Sequence, residues 1–282
     1  MPTPVHRRRS ALQWEEAVVP AEDRNVRVRV YRPKGRRAGW LVWAHGGSWT
    51  RGSVDGWHFA CADLARLATC TLVSVEYRLA PRHPHPAALD DVLAVLDWAG
   101  AKAEREGMGD RLGVGGDSAG GTIAACAALT WRDLRRPLAA QLLAYPPLDP
   151  WCRSPSYFRH ANSFPTRQAM ISAWRTYLGT DWRRDTGSAY STPFEAADLR
   201  GVAPAALGVG ELDPVADDVR LYERRLLASG NTVELRSFPD MGHGAFLQPG
   251  TRIAVDGSVQ RNPLLAWFGS AFRELVAGPA EQ

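Results

Sequence analysis

Leu112-Gly113-Val114-Gly115-Gly116-Asp117-Ser118-Ala119-Gly120-Gly121-Thr122 passes from a short apolar run into a stretch of helical spacing. Leu112 to Gly116 predicts a strand, and Thr122 to Leu129 predicts a helix. The Gly116-Asp117-Ser118-Ala119-Gly120 segment between them has the G-x-S-x-G pattern of a nucleophile on a tight strand-to-helix turn. A serine there takes a strained backbone, and glycines two positions to either side let neighbouring chains approach without a Cβ in the way. The N-terminus of the following helix favours negative charge nearby. Ser118 is therefore a candidate nucleophile.

Outward from that turn, strands and helices alternate. Trp40 to Ala44 and Thr71 to Val75 are continuous apolar runs, as strands covered on both faces should be. Val26 to Tyr31 alternates apolar and charged residues, the mark of a half-buried strand. Ala139 to Tyr145, Ala205 to Val209 and Thr232 to Phe238 predict further strands. Helices are predicted over Phe59 to Ala68, around Leu89, Val92, Leu93 and Leu96, over Val215 to Ala228, and over Leu264 to Val276. This is an α/β fold with a mostly parallel central sheet wrapped on both faces. We expect one domain over 1–282, its core at about 26–148 and 202–282. Segments 1–25 and 149–201 read as caps. The second is rich in aromatics (Trp151, Tyr157, Phe158, Phe164, Trp174, Tyr177, Trp182, Tyr190, Phe194) and falls where a lid would cover the carboxyl ends of the strands. Aromatics in such an insertion more often pack it onto the core than touch a ligand.

Composition narrows the function classes. The chain has 282 residues, 45% hydrophobic and 23% charged, close to an ordinary globular protein. Its net charge of +4 rests almost wholly on arginines scattered among acids, which argues against a nucleic-acid partner. The basic start at His6-Arg7-Arg8-Arg9 is followed by Glu15, Glu16, Glu22 and Asp23 rather than an apolar run, so neither a cleaved signal nor a membrane span is expected. The expected location is the cytoplasm. Cys61, Cys70, Cys126 and Cys152 lack metal-ligand spacing and sit mainly among apolar residues, so buried free thiols are expected and no metal. A homodimer is left open.

His45-Gly46-Gly47 directly follows the Trp40 to Ala44 strand. Two glycines let a loop turn its amides toward a developing oxyanion, which assigns the hole to the Gly46, Gly47 and Ala119 N–H groups. Ser48, Trp49 and Asp117 are candidate substrate contacts. Of seven histidines, His243 alone combines a place late in the chain with a glycine-flanked loop, which makes it the candidate base. Asp213, Glu211, Asp217 and Asp218 compete as the acid that would hold its tautomer.

Taken together, His45-Gly46-Gly47, Tyr77-Arg78-Leu79-Ala80-Pro81 with Pro86 to Asp91, Gly116 to Gly121, Asp213-Pro214 and Gly242-His243-Gly244 resemble the hormone-sensitive-lipase-like, arylacetamide-deacetylase-like branch of the α/β hydrolases. The similarity runs from about Val26 to Phe246 in the family's order. It implies carboxylic ester hydrolysis of a small molecule through an acyl-enzyme on Ser118, without metal or organic cofactor. It also selects Asp213, because the family motif places the acid just before a proline. Departures are Ser48 in place of a third glycine, Phe246 one residue later than the pattern, a short N-terminal segment, and a long loop over Gln248 to Pro263. The His-Gly-Gly-x-Trp pattern also resembles kynurenine-formamidase-type enzymes, which keeps an amide substrate as the alternative. A non-hydrolytic cyclase or ligand-binding protein on the same scaffold is the reading from another class.

Overall fold

A computed structural model describes residues 12–22, 24–179, 189–248, 251–253 and 259–278. Two long N-terminal strands, β1 (Leu12–Ala21) and β2 (Arg24–Pro33), form a hairpin, followed by β3 (Trp40–Ala44), α1 (His58–Leu67), β4 (Thr71–Val75) and α2 (Ala87–Arg105). Then come β5 (Leu112–Asp117), α3 (Ala119–Asp133), β6 (Ala140–Ala144), α4 (Ser156–Arg159) and α5 (Arg167–Leu178). The chain closes with β7 (Ala205–Gly210), α6 (Ala216–Ala228), β8 (Val233–Phe238), a small ribbon of β9 (Thr251–Ile253) and β10 (Val259–Arg261), and α7 (Pro263–Ala277).

The main sheet has eight strands in the order β1-β2-β4-β3-β5-β6-β7-β8. β1 and β2 are antiparallel to their neighbours, and the other pairings are parallel. Every residue of β3, β4, β5, β6 and β7 is buried whichever way it points. Helices therefore cover both faces, α1 packing with α7 and α2 with α3. This is the mostly parallel, doubly covered α/β sheet expected from the apolar runs, in the arrangement that the family resemblance implied.

The structure corrects two boundaries. The stretch before Asn25 was expected to cap the site, yet its described part is an edge strand, paired from Leu12↔Pro33 to Ala21↔Arg24. No period-two pattern marks it in the sequence because most of it is solvated on both faces: Gln13 to Glu16 are exposed in succession, and Leu12 and Val19, seven residues apart and so on opposite faces, are its buried residues. The Gln248 to Pro263 stretch, expected as a loop, contains the β9–β10 ribbon. His6, the Arg7 to Arg9 run, Asp23 and Trp182 lie outside the described residues.

Candidate active site

The Ser118 turn has the strain its sequence implies. Its φ of 51° and ψ of −122° place a non-glycine residue where L-amino acids rarely sit. That conformation is enforced from outside. A Cβ on Gly120 would overlap the Ala44 and His45 carbonyl oxygens, so only glycine lets α3 start against the end of β3.

Two further loops at the same edge of the sheet bring up the partners. Asp213 follows β7 and is fully buried; its Oδ1 accepts from the Val215 amide at 3.0 Å. His243 follows β8, and its Nδ1 lies 2.9 Å from Asp213 Oδ2 and 3.0 Å from Oδ1. A carboxylate only accepts, so the proton sits on Nδ1 and leaves the Nε2 lone pair free. Nε2 is 2.8 Å from Ser118 Oγ, whose hydroxyl donates to it. The His243 loop is pinned by Phe246, stacked on Trp43 at 4.5 Å with its amide donating to the Tyr145 hydroxyl at 2.8 Å. The one-residue shift of that phenylalanine is thus accommodated by a core stack.

The rival acids are engaged elsewhere. Asp217 pairs with Arg159 and Arg220. Asp218 accepts from the Leu148 and Asp149 amides, from Ser154 and from Tyr157, and burial pushes its carboxyl up to about 6 against those bonds. Glu211 is exposed. Among the other histidines, His45 is buried, and burial holds its imidazole down at about 4. Neutral, it donates Nδ1–H to the Gly46 carbonyl at 2.7 Å and stacks on Tyr77 at 4.2 Å, which fixes the turn of the loop.

The glycine loop departs from expectation. The Gly46 amide donates to Asp117 Oδ1 at 3.2 Å, so its hydrogen is already engaged. Asp117 also accepts from Trp43 Nε1 at 3.2 Å and from Trp57 Nε1 at 2.9 Å. Burial pushes its carboxyl up to about 7, while those N–H groups oppose the rise. Among the described residues, no protein group accepts from the Gly47, Ser48 or Ala119 amides. Ser48, at φ 55°, joins Gly47 in lining the cavity beside Ser118, and Gly46 does not. In the sequence, Ser48 stood at the family's third-glycine position and among the candidate substrate contacts, but its amide was not singled out. Trp49, expected to touch substrate, is 1% exposed, stacks on Tyr177 at 4.6 Å and packs at a tilt against Trp174 at 4.4 Å, so it anchors helix α5.

The cavity holds about 360 Å³ and is lined by Gly47, Ser48, Arg51, Trp57, Asp117 and Ser118 on the core side. Phe164, Pro165 and Met170 close it from the lid, with Tyr145, His243, Gly244 and Leu247 between. Of the described lid aromatics, Phe164 alone reaches it; Tyr157, Trp174 and Tyr177 are buried in packing. Cys61, Cys70, Cys126 and Cys152 are free and buried. Among the described residues, no group of three or more His, Cys, Asp or Glu is placed to hold a metal ion, and no helix is long and apolar enough to cross a membrane.

A family model described as an alpha/beta hydrolase fold matches residues 41–247. The chain is 38% identical over 226 residues to carboxylesterase NlhH of Mycobacterium tuberculosis, covering 78% of this chain and 71% of that protein. The crystal structure of esterase LipW from Mycobacterium marinum superposes with a TM-score of 0.82 at 37% identity, over 94% of this chain and 82% of that one. An esterase from the bacterial hormone-sensitive lipase family matches with a TM-score of 0.80 at 26% identity, over 98% of this chain and 87% of its own. The strained serine, the fold that presents it and these relatives agree: the chain belongs to the α/β-hydrolase family, in its hormone-sensitive-lipase-like esterase branch.

Proposed function

We propose that this serine ester hydrolase cleaves small, short-acyl carboxylic esters, with Ser118 as nucleophile, His243 as general base and Asp213 as the orienting acid. One observation carries the assignment: the chain of contacts from Ser118 Oγ through both His243 nitrogens to Asp213, at 2.8 and 2.9 Å. Ser118 Oγ attacks the ester carbonyl carbon as its proton passes to His243 Nε2. The carbonyl oxygen takes the negative charge and is received by the Gly47, Ser48 and Ala119 amides, in place of the Gly46, Gly47 and Ala119 set. Collapse breaks the bond to the alcohol oxygen, which leaves with the proton from the imidazolium. Water, deprotonated by the same nitrogen, then releases the carboxylic acid and restores Ser118. Asp213 stabilises the imidazolium in both halves.

A cavity of about 360 Å³ suits a small substrate and supports the short-acyl reading. Four buried free thiols suit a reducing cytoplasm. The test pairs p-nitrophenyl acetate with an N-acetylarylamine. Faster turnover of the ester, and a fluorophosphonate adduct on Ser118 of the folded protein, are expected. Exclusive cleavage of the amide would replace the ester assignment, and no adduct would remove Ser118 from the chemistry.

A further inference from the structure

The wall of the cavity beside Ser118 contains an arginine whose guanidinium has no partner among the described residues. Arg51 lines the cavity and is solvent-exposed, four residues after Gly47. Its position is fixed by the glycine loop: the Arg51 amide donates to the Gly47 carbonyl at 3.1 Å. The first part of its side chain lies over Gly47, where an added Cβ would stand 3.2 Å from Arg51 Cγ. Many arginines of this chain are tied to carboxylates, among them Arg24 and Arg78 on Asp91, Arg29 on Glu16 and Asp55, and Arg153 on Asp149. Among the described residues, nothing accepts a hydrogen bond or forms an ion pair with the Arg51 guanidinium.

Asp117, the acid that lines the same cavity, does not neutralise it. Its oxygens are taken by Trp43, Trp57 and Gly46, and no ion pair joins it to Arg51. Phe164, Pro165, Met170 and Leu247 add apolar wall to the cavity, while the exposed guanidinium remains open to salt screening. A planar guanidinium also matches a carboxylate with two parallel N–H···O bonds.

We infer that Arg51 determines specificity, pairing with a carboxylate that the substrate carries a few bonds from its scissile ester. The inference rests on the ester-hydrolase reading and names its substrate class: acidic esters, such as monoesters of dicarboxylic acids. Water converts such a monoester into the dicarboxylic acid and the free alcohol by the steps given above.

The experiment compares acidic esters with neutral analogues of similar shape, following kcat/KM by pH-stat. Ethyl hydrogen succinate against ethyl levulinate places the charge on the acyl side; acetoxyacetate against acetoxyacetone places it on the alcohol side. At low salt the acidic ester of at least one pair should be preferred by about tenfold, and that preference should shrink in about 0.5 M NaCl. Arg51→Gln should bring the ratio close to one, and Arg51→Lys should keep part of it. Wild-type ratios at or below one in both pairs, or a ratio that Arg51→Gln leaves intact, would overturn the inference while the neutral esters still report an esterase. Failure of all four esters would sink the ester-hydrolase reading and this inference with it.

Discussion

At the scale of single residues, two side chains in adjacent positions have opposite demands. Ser118→Ala removes only an oxygen from a site that is otherwise intact, so kcat should fall by about 10⁴–10⁶ with unchanged circular dichroism. Full turnover in that variant would exclude the nucleophile. Asp117 is different because its folded-state pKa is raised, to about 7. The folded protein then keeps a proton that the unfolded chain releases near pH 4, so the contribution of Asp117 to stability is greatest below that and is lost as pH rises toward 7. Asp117→Asn should flatten part of this decline in a series of melting curves between about pH 4 and 7, and Asp218, raised to about 6, should account for another part. An unchanged slope would show that Asp117 is ionised in the fold. Ser118 stood out in the sequence through its strand-turn-helix pattern and His243 through its late, glycine-flanked loop, whereas Asp213 was one of four acids until the family resemblance selected it. The engagement of the Gly46 amide was not legible, since it depends on the side chains of Trp43, Trp57 and Asp117 meeting from three separate segments.

At the scale of elements, the site depends on how closely α3 approaches β3. Gly120→Ala would drive a methyl group into backbone oxygens of Ala44 and His45, which have no rotamer to escape by. We expect a loss of about 2–4 kcal/mol or a failure to fold, measured by urea unfolding; a neutral outcome would mean that the helix can slide. The lid helix α5 is held by the Trp49, Trp174 and Tyr177 rings, so Trp174→Ala should destabilise by about 3–5 kcal/mol. Because Trp174 does not line the cavity, the loss should appear in stability ahead of KM. The aromatic richness of 149–201 pointed to a segment packed over the carboxyl ends of the strands. Which ring faces substrate was hidden, because packing and lining aromatics have the same composition.

At the scale of the whole molecule, β1 extends the sheet that carries the site. Glu16 on β1 pairs with Arg27 and with the nearly buried Arg29, and Trp14 lies 4.7 Å under the Arg29 guanidinium. Truncation through Ala21 would leave the β2 edge unpaired and remove one of Arg29's two carboxylates. The truncated protein should melt at lower temperature and self-associate in size-exclusion chromatography; a monomer of unchanged stability would make β1 dispensable. Much of the parallel core was legible because β3, β4, β6 and β7, buried along their whole length, are short and largely apolar, whereas β1, exposed over Gln13 to Glu16 on both faces, reads as a polar leader. The Asp218 carboxylate ties the chain leaving β6, at Leu148, Asp149, Ser154 and Tyr157, to the first turn of α6, five residues beyond Asp213. Roof and foundation thus share one rivet: a graft that swaps the roof for a relative's must bring matching donors for that carboxylate, or the strain will surface beneath the imidazole rather than at the splice.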